Sequence, residues 1–165
     1  MPQNYFQGTV KNPYHISIGA VVKNAEGNIC CHYFDSITLP SIGTLQDFYL
    51  LMRETIEPNE TIEQCLSRGL LEEFGITGTL NKYIGSIVST FEVGNTGVYI
   101  QKTTLYFLCD FISMDESLRK KGDIEASSEI RWAAPLELIA KMKEQGKRLG
   151  RGDADESVII ENILV

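Results

Sequence analysis

Two adjacent glutamates, Glu72 and Glu73, lie at the end of a segment with helical periodicity. At about 100° per residue, Glu73 falls in the same angular sector as the apolar residues Ile62 and Leu66. Two carboxylates beside a buried surface repel each other, which tends to raise the pKa of one of them. Hard divalent cations such as Mg²⁺ prefer oxygen ligands and would remove that cost. The pattern leaves two interpretations open: a metal-binding pair, or a frayed helix end with two solvated glutamates.

The segment that ends in this pair has clear signals for where a helix begins and ends. Thr61 and Gln64 fit the capping-box pattern, which predicts a helix that starts at Thr61. Gly75 suits the left-handed position that follows a helix. The apolar residues between them recur at i, i+4 spacing. They predict a buried stripe of Ile62, Leu66, Leu70 and Phe74.

The same segment resembles a known catalytic motif. Residues 54–76, "ETIEPNETIEQCLSRGLLEEFGI", are similar to the Nudix box, G-x5-E-x7-R-E-U-x-E-E-x-G-U, in which U is a bulky aliphatic residue. Seven of the nine defined positions agree, which makes the match far more specific than a short isolated motif. The matching residues are Glu60, Arg68, Leu70, Glu72, Glu73, Gly75 and Ile76. The stretch "EIRWAAPLELIAKM" also looks like the family's late strand and following helix, so the resemblance covers residues 14–145.

The resemblance implies a fold and an activity. The implied fold is the Nudix-type α/β/α sandwich with a mixed β-sheet. The implied activity is hydrolysis of the diphosphate linkage in a small-molecule nucleoside diphosphate derivative, with Mg²⁺ or Mn²⁺ as the cofactor. A divalent cation neutralises the diphosphate, orients it and activates the attacking water.

The resemblance also implies roles for individual residues. Glu72 and Glu73 correspond to catalytic residues that bind the metal ion or activate water. Glu60 and Arg68 correspond to a supporting ion pair that fixes the preceding loop against the helix. Family members often use one more acid from the loop before the late strand. We therefore expect Glu125 as a further metal ligand.

That last assignment has an alternative, because "GDIEASSEIRW" offers Glu129 as well as Glu125. Substrate-binding residues are not identified by the sequence. Arg53 and Lys102 are candidates for contacts with phosphate. Phe91, Tyr99 and Tyr106 are candidates for stacking on a base, although aromatic residues in β-rich runs more often belong to the core.

Two positions depart from the box. Glu54 stands where the family has Gly, and Gly69 stands where it has the Glu that follows Arg68. Gly69 supplies no ligand and costs a helix up to about 1 kcal/mol relative to Ala. One hypothesis is that Glu54 replaces the missing carboxylate as a metal ligand, while the alternative is independent drift. The chain is then either a hydrolase, of reduced activity, or a Nudix-like module that binds a nucleotide or a protein without catalysis.

The remaining segments predict a mixed sheet with helices on both faces. "HISIGAVVKN" and "ICCHYF" form a first hairpin, and "KYIGSIVSTFEV" and "VYIQKTTLYFLCDFI" form a second one. "FYLLM" and "IRWAA" are short strands, whereas "SITLPSIGTLQD", "RETIEPNE" and "MDESLRKKGDIEASSE" are loops. "PLELIAKMKEQ" is a helix with Pro135 in its first turn, and "DADESVIIENIL" is a last helix with an acidic cap. We expect one domain over residues 1–165, with residues 1–13 as an extension.

Composition limits the partners. A net charge of −7 argues against binding to nucleic acid, which needs a basic face. There is no apolar stretch long enough to span a bilayer and no signal-peptide pattern, so we expect a cytoplasmic protein without membrane contact. The four cysteines have no metal-ligand spacing and are expected to be buried thiols in a reducing compartment. A homodimer is compatible with the family but no residue marks an interface.

Overall fold

The computed structural model of this protein describes residues 3–39 and 42–165. The strands are β1 (Tyr14–Lys23), β2 (Ile29–Leu39), β3 (Gly43–Leu50), β4 (Met52–Thr55), β5 (Ile76–Glu92), β6 (Tyr99–Met114) and β7 (Glu129–Ala133). The helices are α1 (Ile62–Phe74), α2 (Pro135–Leu149) and α3 (Ser157–Glu161), and 3₁₀ turns cover Glu116–Leu118, Ile124–Ser127 and Gly152–Ala154.

The strands form a mixed sheet of order β3-β2-β1-β6-β5, with β4 paired to β1 and β7 paired to β2. Strands β1 and β6 are parallel, and the other pairs are antiparallel. Neighbouring residues of one strand face different layers, because side chains alternate along a strand. Cys30 thus joins the core under α1, whereas Cys31 joins the core under α2 and α3. The predicted α/β/α sandwich is confirmed.

The free cysteines are all buried, as expected. None of the helices in the described part of the chain is long and apolar enough to cross a membrane. The N-terminal segment contacts the domain before β1 begins: the Asn4 side chain donates to the Ile56 carbonyl at 2.9 Å, and Ile16 N–H donates to the Phe6 carbonyl at 2.9 Å.

Helix α1 begins and ends as predicted. Thr61 is the N-cap, and the capping box with Gln64 is complete in both directions. Gly75 adopts φ 68° and ψ 21°, the left-handed conformation that ends a helix. Leu66, Leu70 and Phe74 are buried, but Ile62 is 37% exposed, so the predicted stripe begins one turn later. The first turn of α1 is therefore exposed.

Two of the predicted loops are wrong. Residues of "SITLPSIGTLQD" extend β2 and begin β3, with Thr38 paired to Thr44, while Pro40 and Ser41 lie outside the described residues. In "RETIEPNE", residues 53–55 form most of β4 and pair with β1. Their polar side chains line a cleft, and pairing with β1 overrides the weak strand propensity of Glu54.

The charged segment after β6 contains two 3₁₀ turns within the predicted loop. The second hairpin, β7 and α2 are confirmed, and α2 continues to Leu149. The last helix is shorter than predicted, and Glu156 at its start does not cap it with its side chain. The Glu156 carboxylate is buried instead, where it accepts from Leu51 N–H and the Tyr106 hydroxyl. Tyr106 is therefore a core residue and not a base-stacking candidate.

A comparison of two helix-ending glycines tests how tightly α1 is packed at its end. A Cβ at Gly75 would lie 2.1 Å from the Asp115 carbonyl oxygen, whereas at Gly150 (φ 64°) no described atom lies within 4 Å of that position. Gly150→Ala should cost about 1 kcal/mol of unfolding free energy from left-handed strain alone. Gly75→Ala should cost at least about 2 kcal/mol more, because backbone must move. Urea unfolding measures both; equal losses would contradict the packing.

Candidate functional site

A polar cleft lies where β1, β4, the end of α1 and the loop before β7 meet. Its lining residues are mostly charged or hydrogen-bonding. They are His15, Ser17, Arg53, Glu54, Thr55, Glu72, Glu73, Lys102, Lys120, Asp123, Glu125 and Ala126. All four predicted metal ligands, Glu54, Glu72, Glu73 and Glu125, thus line one cleft. Glu129, the alternative to Glu125, is exposed on β7 and pairs with Arg131.

Arg68 connects the elements on one side of this cleft. Its Nε donates to Glu60 Oε1 at 2.8 Å and its Nη2 donates to Glu60 Oε2 at 3.0 Å, so the ion pair expected from the resemblance is present and bidentate. Nη2 also donates to the Thr55 carbonyl at 2.8 Å, which ties α1 to the end of β4. Nη1 lies 3.3 Å from Glu54 Oε1 and 3.6 Å from Glu72 Oε2. Hydrogen bonding to Arg68 lowers the pKa of Glu60.

Glu73 is buried, as its position on the helix wheel predicts. Its Oε2 lies 2.7 Å from His32 Nε2, and His32 Nδ1 lies 2.7 Å from Ser128 Oγ. Arg119 Nη2 donates to the same Ser128 oxygen at 2.8 Å. Arg119 also donates through Nε to the Glu73 carbonyl at 2.7 Å, at the negative end of the α1 dipole. A row of hydrogen bonds therefore runs from the charged loop to the Glu73 carboxylate.

The direction of this row follows from the chemistry of its members. Burial, followed by the charges of Arg119 and Arg53, lowers the pKa of His32 to about 3, so the imidazole is neutral at neutral pH. When Glu73 has lost its proton, its carboxylate can only accept, so in that state His32 carries its hydrogen on Nε2 and donates it to the carboxylate. Nδ1 then accepts from the Ser128 hydroxyl, whose oxygen accepts from Arg119. One carboxylate oxygen of Glu73 is held in this way.

His32, Ser128 and Arg119 were not predicted from the sequence. The signal for His32 was a polar residue inside the apolar run "ICCHYF", on the face shared with Cys30. Ser128 and Arg119 lie in the charged segment, where no periodicity singles them out. Lys102 and Arg53, named as phosphate-binding candidates, both line the cleft. Burial, with Arg53 nearby, lowers the pKa of Lys102 to about 8.

The departures from the box at Glu54 and Gly69 are neighbours in space. A Cβ at Gly69 would lie 3.0 Å from the Glu54 Cβ and 2.8 Å from Met52 Sδ. The side chain at position 54 therefore fills the space that a side chain at position 69 would enter. The two positions therefore crowd each other, and a Glu at one favours a small residue at the other.

The carboxylates suit a hard divalent cation in chemical type. In residues 3–39 and 42–165, however, no three His, Cys, Asp or Glu side chains converge closely enough to hold an ion by themselves. The oxygens of Glu54 and Glu72 turn towards Arg68, and an oxygen of Glu73 binds His32. The oxygen donors therefore fit Mg²⁺ in chemical type, and holding the ion with them would require Glu54 and Glu72 to turn from Arg68 towards it.

Comparisons with known proteins decide the family. A family model for the NUDIX domain matches residues 13–151. The chain belongs to the Nudix family. This match confirms the family that the resemblance indicated. A comparison with curated proteins gives no match.

Solved structures share the Nudix fold at low sequence identity. A NUDIX hydrolase from Nitrosomonas europaea has a TM-score of 0.62 and 19% identity, covering 90% of this chain and 87% of that one. The E. coli ORF135 protein has a TM-score of 0.59 and 18% identity, covering 96% and 94%. The MutT protein from Methanosarcina mazei Go1 has a TM-score of 0.52 and 19% identity, covering 86% and 96%.

The contact between positions 54 and 69 can be tested by stability. Gly69→Ala would ordinarily stabilise a helix by up to about 1 kcal/mol. Here it should lower the free energy of unfolding by about 1–3 kcal/mol, because the new methyl group meets Met52 and Glu54. In a Glu54→Gly background the loss should be smaller, which a double-mutant cycle by urea unfolding measures. The same loss in both backgrounds would mean that Glu54 does not fill this space.

Glu73 gives the site a pH dependence. Burial, followed by the charges of Glu125 and Glu54, raises the pKa of Glu73 well above its usual value. A metal ion must displace that proton, so Mg²⁺ affinity should rise with pH through the raised pKa, with proton release visible by calorimetry in buffers of different ionisation enthalpy. The metal-free protein should lose stability over the same range, because the folded state binds more protons than the unfolded state there. Glu73→Gln should remove both effects; an unchanged pH dependence in that variant would assign it to another group.

Proposed function

We propose that this Nudix protein is a Mg²⁺-dependent hydrolase (Mn²⁺ being the alternative ion) that cleaves the diphosphate linkage of a nucleoside diphosphate derivative. The observation that supports the proposal most directly is the gathering of five carboxylates and three cationic side chains in one cleft. Such a mixture suits a metal–diphosphate complex, because the ion meets the carboxylates while the phosphate oxygens meet the cations.

Each side chain has a proposed role. Glu72 and Glu73 hold the metal ion as the principal catalytic residues, and Glu54 and Glu125 complete the set of metal ligands. A bound divalent cation would polarise the diphosphate and lower the pKa of the attacking water. Glu73 keeps its orientation through the hydrogen bond from His32. Glu60 and Arg68 have a positioning role. Arg68 pairs with Glu60 and donates to the Thr55 carbonyl, which ties the end of β4 to α1.

The cationic side chains have the proposed role of binding phosphate. Arg53 lies on β4 beside Glu54, Lys102 lies on β6, and Lys120 follows the 3₁₀ turn after β6. Burial lowers the pKa of Lys102 to about 8, which still leaves most of this side chain charged at neutral pH. With these residues, a chain whose net charge is −7 has a local site for an anionic substrate.

Glu54 is proposed to replace the carboxylate that the box normally has at position 69. Support comes from their contact, since the Glu54 side chain begins where the side chain of residue 69 would be. The pKa of Glu54 is raised, chiefly by burial and despite Arg68, which is the behaviour of a carboxylate enclosed in a site rather than solvated on a surface. The number of acids in the cleft is then unchanged.

The alternative is a Nudix module that binds a nucleotide or a protein partner without catalysis. Gly69 and the turning of Glu54 and Glu72 towards Arg68 favour it. In either case we expect a cytoplasmic protein without nucleic-acid or membrane contacts, and in the first case its partner is a small-molecule substrate. A homodimer is part of the same expectation.

Metal binding and turnover test the proposal together. Calorimetry with Mn²⁺ should give one saturable site, and a panel of nucleoside triphosphates, ADP-ribose, dinucleotides and nucleotide sugars should release phosphate or a nucleoside monophosphate. Glu54→Gln, Glu73→Gln and Glu125→Gln should each weaken metal binding about 10-fold or more. Glu129→Gln removes an exposed acid from the same segment as Glu125 and should leave metal affinity unchanged.

The exchange variant Glu54→Gly with Gly69→Glu is the sharpest test of compensation. It moves the carboxylate back to the usual box position and should recover metal affinity that Glu54→Gly alone loses. If Glu54→Gln keeps full metal affinity, compensation by Glu54 is wrong. If no substrate in the panel turns over while a nucleotide still raises the melting temperature, the binding module is the better description.

A further inference from the structure

Strand β5 lies at one edge of the sheet. The strand order β3-β2-β1-β6-β5 ends with it, and no strand in residues 3–39 and 42–165 pairs with its outer side. An edge strand points a row of backbone N–H and C=O groups away from the sheet. The outer side of β5 can therefore bond to a further strand, and the proposed function gives this edge no role.

The two halves of β5 differ in how they are protected against such pairing. In the first half the register with β6 shifts at three places, the last between Tyr83 and Gly85. The Ile84 side chain is buried there, and the Ile84 carbonyl accepts from the Asn162 side chain at 2.7 Å. Bulges and covering segments are means by which natural edge strands avoid other chains. In the described part of the chain, residues 86–92 have neither a register shift nor a backbone hydrogen bond from an element other than β6.

The second half of β5 is also apolar and nearly uncharged. Val88 is 57% exposed, and Phe91, considered above for stacking on a base, is 37% exposed and does not line the polar cleft. Residues 83–101 contain a single charged residue, Glu92, in a chain in which 22% of the residues are charged. Charged side chains, lysine above all, usually protect an edge strand. This edge lacks that protection, which favours its being covered by another chain.

The net charge favours a second copy of this protein as the covering chain. Two copies that each carry a charge of −7 repel each other, so a stable contact between them needs a surface with little charge. Residues 86–92 provide one. The outer side of β5 also suits a two-fold contact, in which the same surface is used by both copies and the assembly stops at two.

A two-fold axis at Ser89, the middle of residues 86–92, would pair this whole regular segment antiparallel with itself. Side chains that face each other then lie on the same side of the joined sheet. No like charges meet in this register, and an aromatic side chain meets a β-branched one, which is a favourable cross-strand pair. The facing pairs, one residue from each copy, are Ile87 with Phe91, Val88 with Thr90, and Ser86 with Glu92.

We propose that this protein forms a homodimer in which the β5 strands of two copies pair antiparallel through residues 86–92, with the two-fold axis at Ser89. The contact joins the two sheets into one continuous sheet. It covers the unprotected half of β5 in both copies. The inference does not depend on the proposed catalytic activity.

The dimer keeps the two polar clefts separate. Ser89 pairs with Lys102, and Lys102 pairs with His15, so the three residues lie in one row across the sheet. His15 and Lys102 line the polar cleft. With roughly 4.8 Å between neighbouring strands, the His15 residues of the two copies would lie about 24 Å apart on one face of the sheet. Each copy therefore retains its own cleft, and dimerisation can be tested separately from the function of that cleft.

Sedimentation equilibrium over a range of protein concentrations tests the dimer with two matched variants. The parent protein should reach twice the mass of one chain. Ser89→Lys places two like charges opposite each other at the axis and should weaken association at least about 10-fold. Ser86→Lys, the same substitution at another serine of the strand, faces Glu92 of the second copy and should leave association unchanged or stronger. Circular dichroism melting checks that both variants are folded.

Disulfide trapping tests the register by a second route. Ser89→Cys puts two thiols directly opposite each other, within reach of a disulfide, and should give a covalent dimer on oxidation. In Ser86→Cys the two thiols would be about 20 Å apart along the paired strands, so no covalent dimer should form. The native cysteines are all buried and do not compete.

Several results would overturn the proposal. A parent protein that stays monomeric at every concentration would mean that a different chain covers this edge. A dimer that survives Ser89→Lys would assign the contact to another surface. Dissociation of Ser86→Lys to the same extent as Ser89→Lys, or equal trapping of both cysteine variants, would reject the register. Metal binding and turnover by the parent protein are measured independently, so the proposed function stands or falls on its own results.

Discussion

Several ionised carboxylates can share a half-buried cleft only if a positive charge offsets their mutual repulsion. In the polypeptide itself Arg68 supplies much of this charge. It binds Glu60 through two hydrogen bonds, holds the Thr55 carbonyl, and lies within 4 Å of Glu54 and Glu72. Nε and Nη2 of Arg68 bind Glu60 and the Thr55 carbonyl, whereas Nη1 faces Glu54 and Glu72. Arg68 therefore both stabilises the domain and offsets negative charge in the cleft.

The loop after β6 holds the opposite side of the site. Lys120 N–H donates to the Glu72 carbonyl at 2.7 Å, and Asp115 N–H donates to the Gly75 carbonyl at 2.9 Å. Together with Arg119, these groups satisfy backbone acceptors at the end of α1, which would otherwise lack partners. The loop also supplies Glu125 to the cleft and Ser128 to the row that ends at Glu73. Charged residues of this loop therefore take part in the site and are not all solvated on the surface.

The Glu54 and Gly69 pair shows how two positions of a motif can change residue type while the space between them is still filled by one side chain. Position 69 is on α1 and position 54 is on β4, fifteen residues earlier along the chain. Their Cβ positions would nevertheless be only 3.0 Å apart. A close-packed interior does not admit two large side chains at such a contact. A change at one position therefore constrains the other, which is a physical reason to treat the two departures as one.

Residues that are close together in the sequence determined the bounds of α1 and the family of this protein. The capping box at Thr61, the left-handed Gly75 and the spacing from Glu60 to Ile76 defined α1 and the family, because each depends on residues close together along the chain. Only the tertiary structure decided that residues 53–55 form a strand beside β1, that Glu125 and not Glu129 faces the cleft, and that Glu73 meets His32. These outcomes depend on pairing and packing between segments that are distant in sequence, and local propensity and periodicity carry no information about which distant partner a side chain meets.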